Sequence, residues 1–199
     1  MSAVLTQTHY TAEEYLALER CASYKSEFHD GQIYAMTGAS RKHNLITFNI
    51  ARELGIQLKK RPCEAYINDM RVKAAKARGY HYPDIAVVCD TPQFEDAHVD
   101  TLLNPTLLIE VLSPSTEAYD RGGKFAHYRK IGSLQEYLLV AQDQPSIERY
   151  VRQGDVWILS EALGLDAFVP LDSIDCTLSL REVYDKVLDD ADELGSSRA

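Results

Sequence analysis

Two carboxylates stand where an apolar strand does not tolerate an unpaired charge. Asp84 lies in the run Tyr82-Pro83-Asp84-Ile85-Ala86-Val87-Val88, and Glu110, 26 positions on, lies within Leu107-Leu108-Ile109-Glu110-Val111-Leu112-Ser113. Both runs read as buried strands, where an isolated charge is costly. Acidic residues kept in such places commonly hold a metal ion. Asp84 and Glu110, with the carbonyl of Val111 as a third oxygen, suit Mg²⁺, which keeps several of its waters, and Mn²⁺ would substitute. An ion held this way lowers the pKa of a bound water and polarises a phosphoryl group.

Other residues surround this pair in a definite order. Glu27-Phe28-His29-Asp30-Gly31-Gln32 comes first, and His43 opens a helical stretch; after the pair stand Ser113-Pro114-Ser115-Thr116, Asp120, Lys124, Tyr128, Gly132, Glu136 and Tyr137. In kind and spacing these resemble the Uma-two family of restriction endonucleases, within the PD-(D/E)xK nuclease superfamily, over about residues 10 to 185. The resemblance implies an α/β (α+β) fold with a restriction-endonuclease-like mixed central sheet flanked by helices. It also implies metal-dependent hydrolysis of phosphodiester bonds, with DNA as the partner.

One position departs from the superfamily pattern. A lysine belongs two residues after the second carboxylate, on the same strand face, and here that position is Leu112. The nearest replacement is Lys124, and the family's lysine stands at the same place, which implies a migrated catalytic lysine. Asp120 reads as the N-cap of a helical run with Lys124, Tyr128 and Ile131 on one face and Gly132 as its stop. A lysine in that first turn can return over the end of the strand carrying Glu110, to orient or deprotonate the attacking water and stabilise charge.

Glu27 matches the family's early acidic residue, as a second-shell or additional metal ligand; the competing reading is a solvated charge beside a hairpin. His43 matches a family histidine that would contact a phosphate or transfer a proton, against a hydrogen-bonded structural role. Gly122-Gly123-Lys124 lacks the preceding glycine and following hydroxyl of a phosphate-cradling loop, and Ser113 and Ser115 bracket a proline rather than form a nucleophile elbow. Trp157 and the tyrosines read as packing residues more than base-stacking platforms.

The elements that must position these groups follow from local pattern. Thr11 and Glu14 form a capping box for a short helix through Tyr15 and Leu18. Asp30-Gly31 marks a hairpin turn. Ile46, Ile50, Leu54 and Leu58 recur at helical spacing between about Ser40 and Lys60. Strands are expected at Glu64 to Asp69, Arg71 to Ala75, Ile85 to Cys89, Thr106 to Leu112, Glu136 to Val140, Ile147 to Arg152 and Val156 to Ser160. The polar stretch from Asp90 to Pro105 reads as a loop that could border a substrate cleft.

With 199 residues and no repeat or linker, the sequence reads as one nuclease-like domain over residues 1–188 with an acidic, disordered tail over residues 189–199. Cys21, Cys63, Cys89 and Cys176 are widely spaced without a CxxC pair and read as core thiols in a reducing compartment. The N-terminus lacks a signal-peptide pattern and no apolar run is long enough to span a bilayer, so a cytoplasmic protein without a membrane partner is expected. The net charge is −9, yet residues 41–78 hold ten basic side chains against three acidic ones, which would form either a phosphate-binding face or a solvated one. Cleaving both strands of a duplex is simplest for a homodimer. Two competing readings are a catalytically inactive module of the same fold that binds nucleic acid or a protein, favoured by Leu112, and an enzyme acting on a small phosphate ester.

Overall fold

The computed structural model describes residues 9–74 and 79–188, so residues 189–199, Ala75 and the basic Lys76 and Arg78 lie outside the described residues. Helix α1 (Ala12–Glu19) begins at its capping box: Thr11 accepts the N–H of Glu14, whose carboxylate accepts the N–H of Thr11 at 2.8 Å. Strands β1 (Ser26–His29) and β2 (Gln32–Ala35) follow, joined by Asp30 and Gly31, both at positive φ (49° and 84°), as a tight hairpin turn requires. Helix α2 (Arg41–Leu58) is capped by Ser40 and buries Ile46, Ile50, Leu54 and Leu58 along one face.

Six strands come next: β3 (Glu64–Ile67), β4 (Arg71–Ala74), β5 (Gly79–His81), β6 (Ile85–Val88), β7 (Thr101–Leu102) and β8 (Leu107–Val111). A helical segment then runs through α3 (Glu117–Tyr119), a π turn (Asp120–Lys124) and α4 (Phe125–Tyr128). The chain finishes with β9 (Glu136–Val140), β10 (Ser146–Gln153), β11 (Val156–Leu163), β12 (Phe168–Leu171), a 3-10 turn, β13 (Cys176–Ser179) and α5 (Leu180–Val183).

The main sheet has six strands in the order β11-β10-β9-β8-β6-β3, with β8 and β9 parallel and the other neighbours antiparallel. Alternation along the strands divides its side chains between two layers. Ile85, Val87, Leu107, Ile109 and Val111 pack with α2, whereas Ala86, Val88, Leu108 and Leu112 pack with Tyr128 and Tyr137. A second, five-stranded sheet (β2-β1-β5-β4-β7) carries the hairpin, and Tyr15 of α1 stacks on its Phe28. The whole is α+β, mixed sheets flanked by helices.

Three expectations need correction. The segment from Asp90 to Pro105 contains β7, and with Ile131, Gly132 and Ser133 it lines a depression of about 500 Å³. That depression lies past the C-terminal end of β6, whereas Asp84 precedes its N-terminal end. Asp120 is not an N-cap, because the helix has already begun at Glu117 and Asp120 opens the π turn. Cys63 and Cys89 are not thiols but a disulfide: β3 and β6 pair antiparallel with Glu64 opposite Val88, which sets residue 63 opposite residue 89. Their separation of 26 in the chain concealed this neighbourhood. Cys21 and Cys176 are free.

Candidate active site

Strands β6 and β8 pair with Ile85 opposite Ile109, and the same register sets Asp84 opposite Glu110, on one face and at one end of the sheet. Glu110, inside its strand, is 4% exposed, while Asp84 stands past the end of β6 and is more open. Asp84 Oδ2 accepts the N–H of Val111 at 2.7 Å and lies 3.2 Å from Nε2 of His43. His43 reaches it from the first turn of α2. That turn is tied to the sheet through Gln142, which accepts from the Ser40 hydroxyl and donates to the Leu112 carbonyl, each at 2.6 Å.

Leu112 shares the face of Glu110 and is absorbed into the apolar layer with Tyr128 and Ile131. The ammonium comes instead from Lys124, whose Nζ lies 2.9 Å from Glu110 Oε1, 3.0 Å from Glu27 Oε1 and 3.6 Å from Asp120 Oδ1. The π turn aims it. This wider turn buries both its ends, Asp120 and Lys124, and closes against the ring of Tyr119. A Cβ on Gly123 would stand 2.6 Å from that ring, so glycine is needed there. The Tyr128 hydroxyl donates to Glu110 Oε1 at 3.1 Å.

Burial works against a charge on Lys124, but Glu110, Glu27 and Asp120 together outweigh it and hold the ammonium well above its ordinary pKa. Burial pushes Glu110 well above the usual carboxylate range, with Lys124 opposing and Asp120, Asp84 and Glu27 adding their repulsion. Burial raises Asp120 likewise. Glu27 goes the other way: burial would raise it, yet Lys124, His81 and the Tyr82 N–H hold it below the usual range. One ammonium therefore serves three carboxylates, with Asp84 as a fourth beside them. The raised pKa values of Glu110 and Asp120 mark carboxylates short of positive charge, where a bound cation would favour the ionised form.

The donors fit Mg²⁺ in kind. Asp84 and Glu110 offer oxygen from one face, and Val111, whose N–H is turned toward Asp84, turns its carbonyl the same way. Among the described residues, no group of three or more His, Cys, Asp or Glu side chains is gathered to hold an ion. A two-carboxylate set completed by water and phosphate is the usual arrangement for Mg²⁺.

Glu27 is 9% exposed and bonded to Lys124, so it is not a solvated surface charge. The basic stretch does not form one footprint. Arg52, Arg61, Arg71 and Lys73 are engaged by Glu182, Asp175, Asp100 and Glu95. Arg41 and Lys42 open α2 beside His43, whereas Lys59 and Lys60 follow its far end, about 27 Å away at 1.5 Å per residue. Sequence reasoning missed His81, completely buried, whose Nδ1 lies 3.4 Å from Glu27 Oε2. Its strand, β5, has only three residues and gives no readable alternation.

Fold and carboxylate arrangement together define a restriction-endonuclease-like domain. Residues 12–181 match the Uma2 family, described as "Putative restriction endonuclease", and the chain belongs to that family. It is 42% identical over 168 residues to the uncharacterized protein sll1609 of Synechocystis, covering 84% of this chain and 95% of that protein. It is 36% identical over 173 residues to slr1290 of the same organism, covering 86% and 90%. The crystal structure of "a putative nuclease belonging to DUF820" from Anabaena variabilis matches with a TM-score of 0.74 at 23% identity, covering 89% of this chain and 99% of that one. At that identity the likeness is one of fold.

Proposed function

We propose that this chain is a Mg²⁺-dependent DNA endonuclease. The observation that carries the reading is the Lys124 ammonium 2.9 Å from Glu110, supplied from the π turn where Leu112 leaves the usual position empty of charge. Asp84, Glu110 and the Val111 carbonyl would hold the ion, which when bound lowers the pKa of a water and polarises the scissile phosphate. Lys124 stays protonated among its carboxylates, so it orients water and stabilises developing charge rather than acting as a base. Glu27 and Asp120 keep that ammonium in place. His43 steadies Asp84, and Tyr128 steadies Glu110.

The same placement of Lys124 favours catalysis over a binding-only module, because a decayed site has no use for a buried lysine held by three carboxylates. A two-fold homodimer would present one such site to each strand of a duplex. The test is cleavage of plasmid DNA by purified protein with Mg²⁺ or Mn²⁺. Activity should require the metal and disappear in Asp84→Ala; metal-independent cutting, or full activity in that variant, would overturn the reading. Sedimentation at micromolar concentration checks the dimer.

A further inference from the structure

Behind Glu27 lies a buried chain of groups with no part in the reaction as described so far. His81 ends β5 at 0% exposure, and each of its ring nitrogens has one partner. Nδ1 faces Glu27 Oε2 at 3.4 Å, and Nε2 faces Nδ1 of His127 at 3.2 Å. The other oxygen of Glu27 accepts from the Tyr82 N–H and holds Lys124, both at 3.0 Å. The backbone leaves room for this arrangement: a Cβ on Gly79 would lie 2.8 Å from His81 Nε2 and 3.2 Å from His127 Nδ1. Tyr128 closes the edge of the His81 ring, and His127 is only partly buried.

Chemistry dictates which nitrogen carries which proton. Glu27, facing an ammonium and a backbone N–H, is an acceptor, so His81 must donate from Nδ1. A neutral imidazole has one N–H, so Nε2 of His81 must accept, and His127 must donate to it from its own Nδ1. We infer that His81 is a positioning residue for Lys124, acting through Glu27, with His127 fixing its tautomer. Burial lowers the pKa of both histidines, which keeps them neutral as this arrangement needs. Glu27 is held on both oxygens, by Lys124 and the Tyr82 N–H on one and by His81 on the other.

The kinetic consequence rests on the nuclease reading, but the tautomers do not. Long-range proton–nitrogen NMR of the metal-free wild type at neutral pH should show His81 and His127 neutral and protonated at Nδ1; an Nε2–H tautomer at His81 overturns the inference whether or not the protein cuts DNA. In Mg²⁺-dependent cleavage, His81→Leu should lower kcat about 10–100-fold with little change in KM, the usual cost of losing an outer-shell partner. His81→Asn should restore most of it, since its amide nitrogen stands near the place of Nδ1 and can donate. Equal impairment of the Leu and Asn variants would reduce His81 to packing, and wild-type kcat in a folded His81→Leu would remove its role. Should His81→Leu fail to fold, His127→Ala, at a partly buried position, carries the kinetic arm: it should give a mixture of His81 tautomers and a smaller loss of kcat, and a wild-type spectrum and rate there would overturn the inference. Absence of cleavage by the wild type would sink the nuclease reading, with the NMR result still deciding the tautomers.

Discussion

Among the described residues Lys124 is the cation that Glu27, Glu110 and Asp120 share, so on the proposed mechanism its removal acts on stability and on chemistry at once. Lys124→Ala should abolish cleavage, by a factor on the order of 10²–10³. It should also cost about 3–5 kcal/mol of stability, because buried carboxylates lose their partner. Mg²⁺ should bind the variant as tightly or more tightly, since a neighbouring positive charge has gone. Thermal melts with and without Mg²⁺ check this: the metal should recover more stability in the variant than in the wild type. Full activity in Lys124→Ala would reopen the assignment, although Lys73 is already engaged by Glu95 on the second sheet. Asp84 and Glu110 were legible in the sequence because they stand out against apolar runs, and Lys124 because it follows Asp120 at the place of the family's lysine. His81 was not, because a buried histidine is defined by what it faces, and its partners come from β1 and α4.

At the scale of elements, the π turn decides where Lys124 points. Gly123→Ala forces a Cβ toward the Tyr119 ring, so it should lower cleavage more than it lowers the melting temperature, by moving the lysine. Gly122, with nothing within 4 Å of its Cβ position, should accept alanine at full activity and with a gain of up to about 1 kcal/mol. Equal behaviour of the two variants would mean that the turn does not set the lysine's position. The long helix, the hairpin and the main strands could be read from periodicity and turn residues. The π turn could not, because a single wide turn over five residues leaves no period in the sequence, and Asp120 looks like a cap to any local rule. The two-residue β7 and three-residue β5 form only because neighbouring strands are already in place.

Across the whole molecule, two devices set stability. Glu27 resists protonation when folded, so below its ordinary value of 4.5 the unfolded chain takes up a proton that the folded one refuses. The stability it contributes is present above that pH and is lost as the pH falls. Asp100, held low first by Arg20 and also by Arg71, adds to the same acid limb. Glu110 and Asp120, raised by burial, act in the opposite sense over the same range, so the measurement is a comparison of variants: between pH 5 and pH 3 Glu27→Gln should lose less stability than the wild type, and an equal loss would show that this carboxylate contributes nothing to the acid limb. The Cys63–Cys89 bond closes a loop of 26 residues, for which chain entropy gives about 3.5 kcal/mol. Reductant should then lower the melting temperature by about 7–14 °C. The layered α+β plan was foreseeable from the alternation of apolar runs and helices. The second sheet was less so, since it joins the hairpin to β4, β5 and β7 from later parts of the chain.

Lys124 rides on the crossover between the two parallel strands, β8 and β9. Such a connection is anchored at both ends only when the second strand is docked beside the first. The ammonium at Glu110 therefore depends on the docking of β9 as well as on its three carboxylates. On the nuclease reading proposed above, a chain whose β9 has not docked should cut nothing.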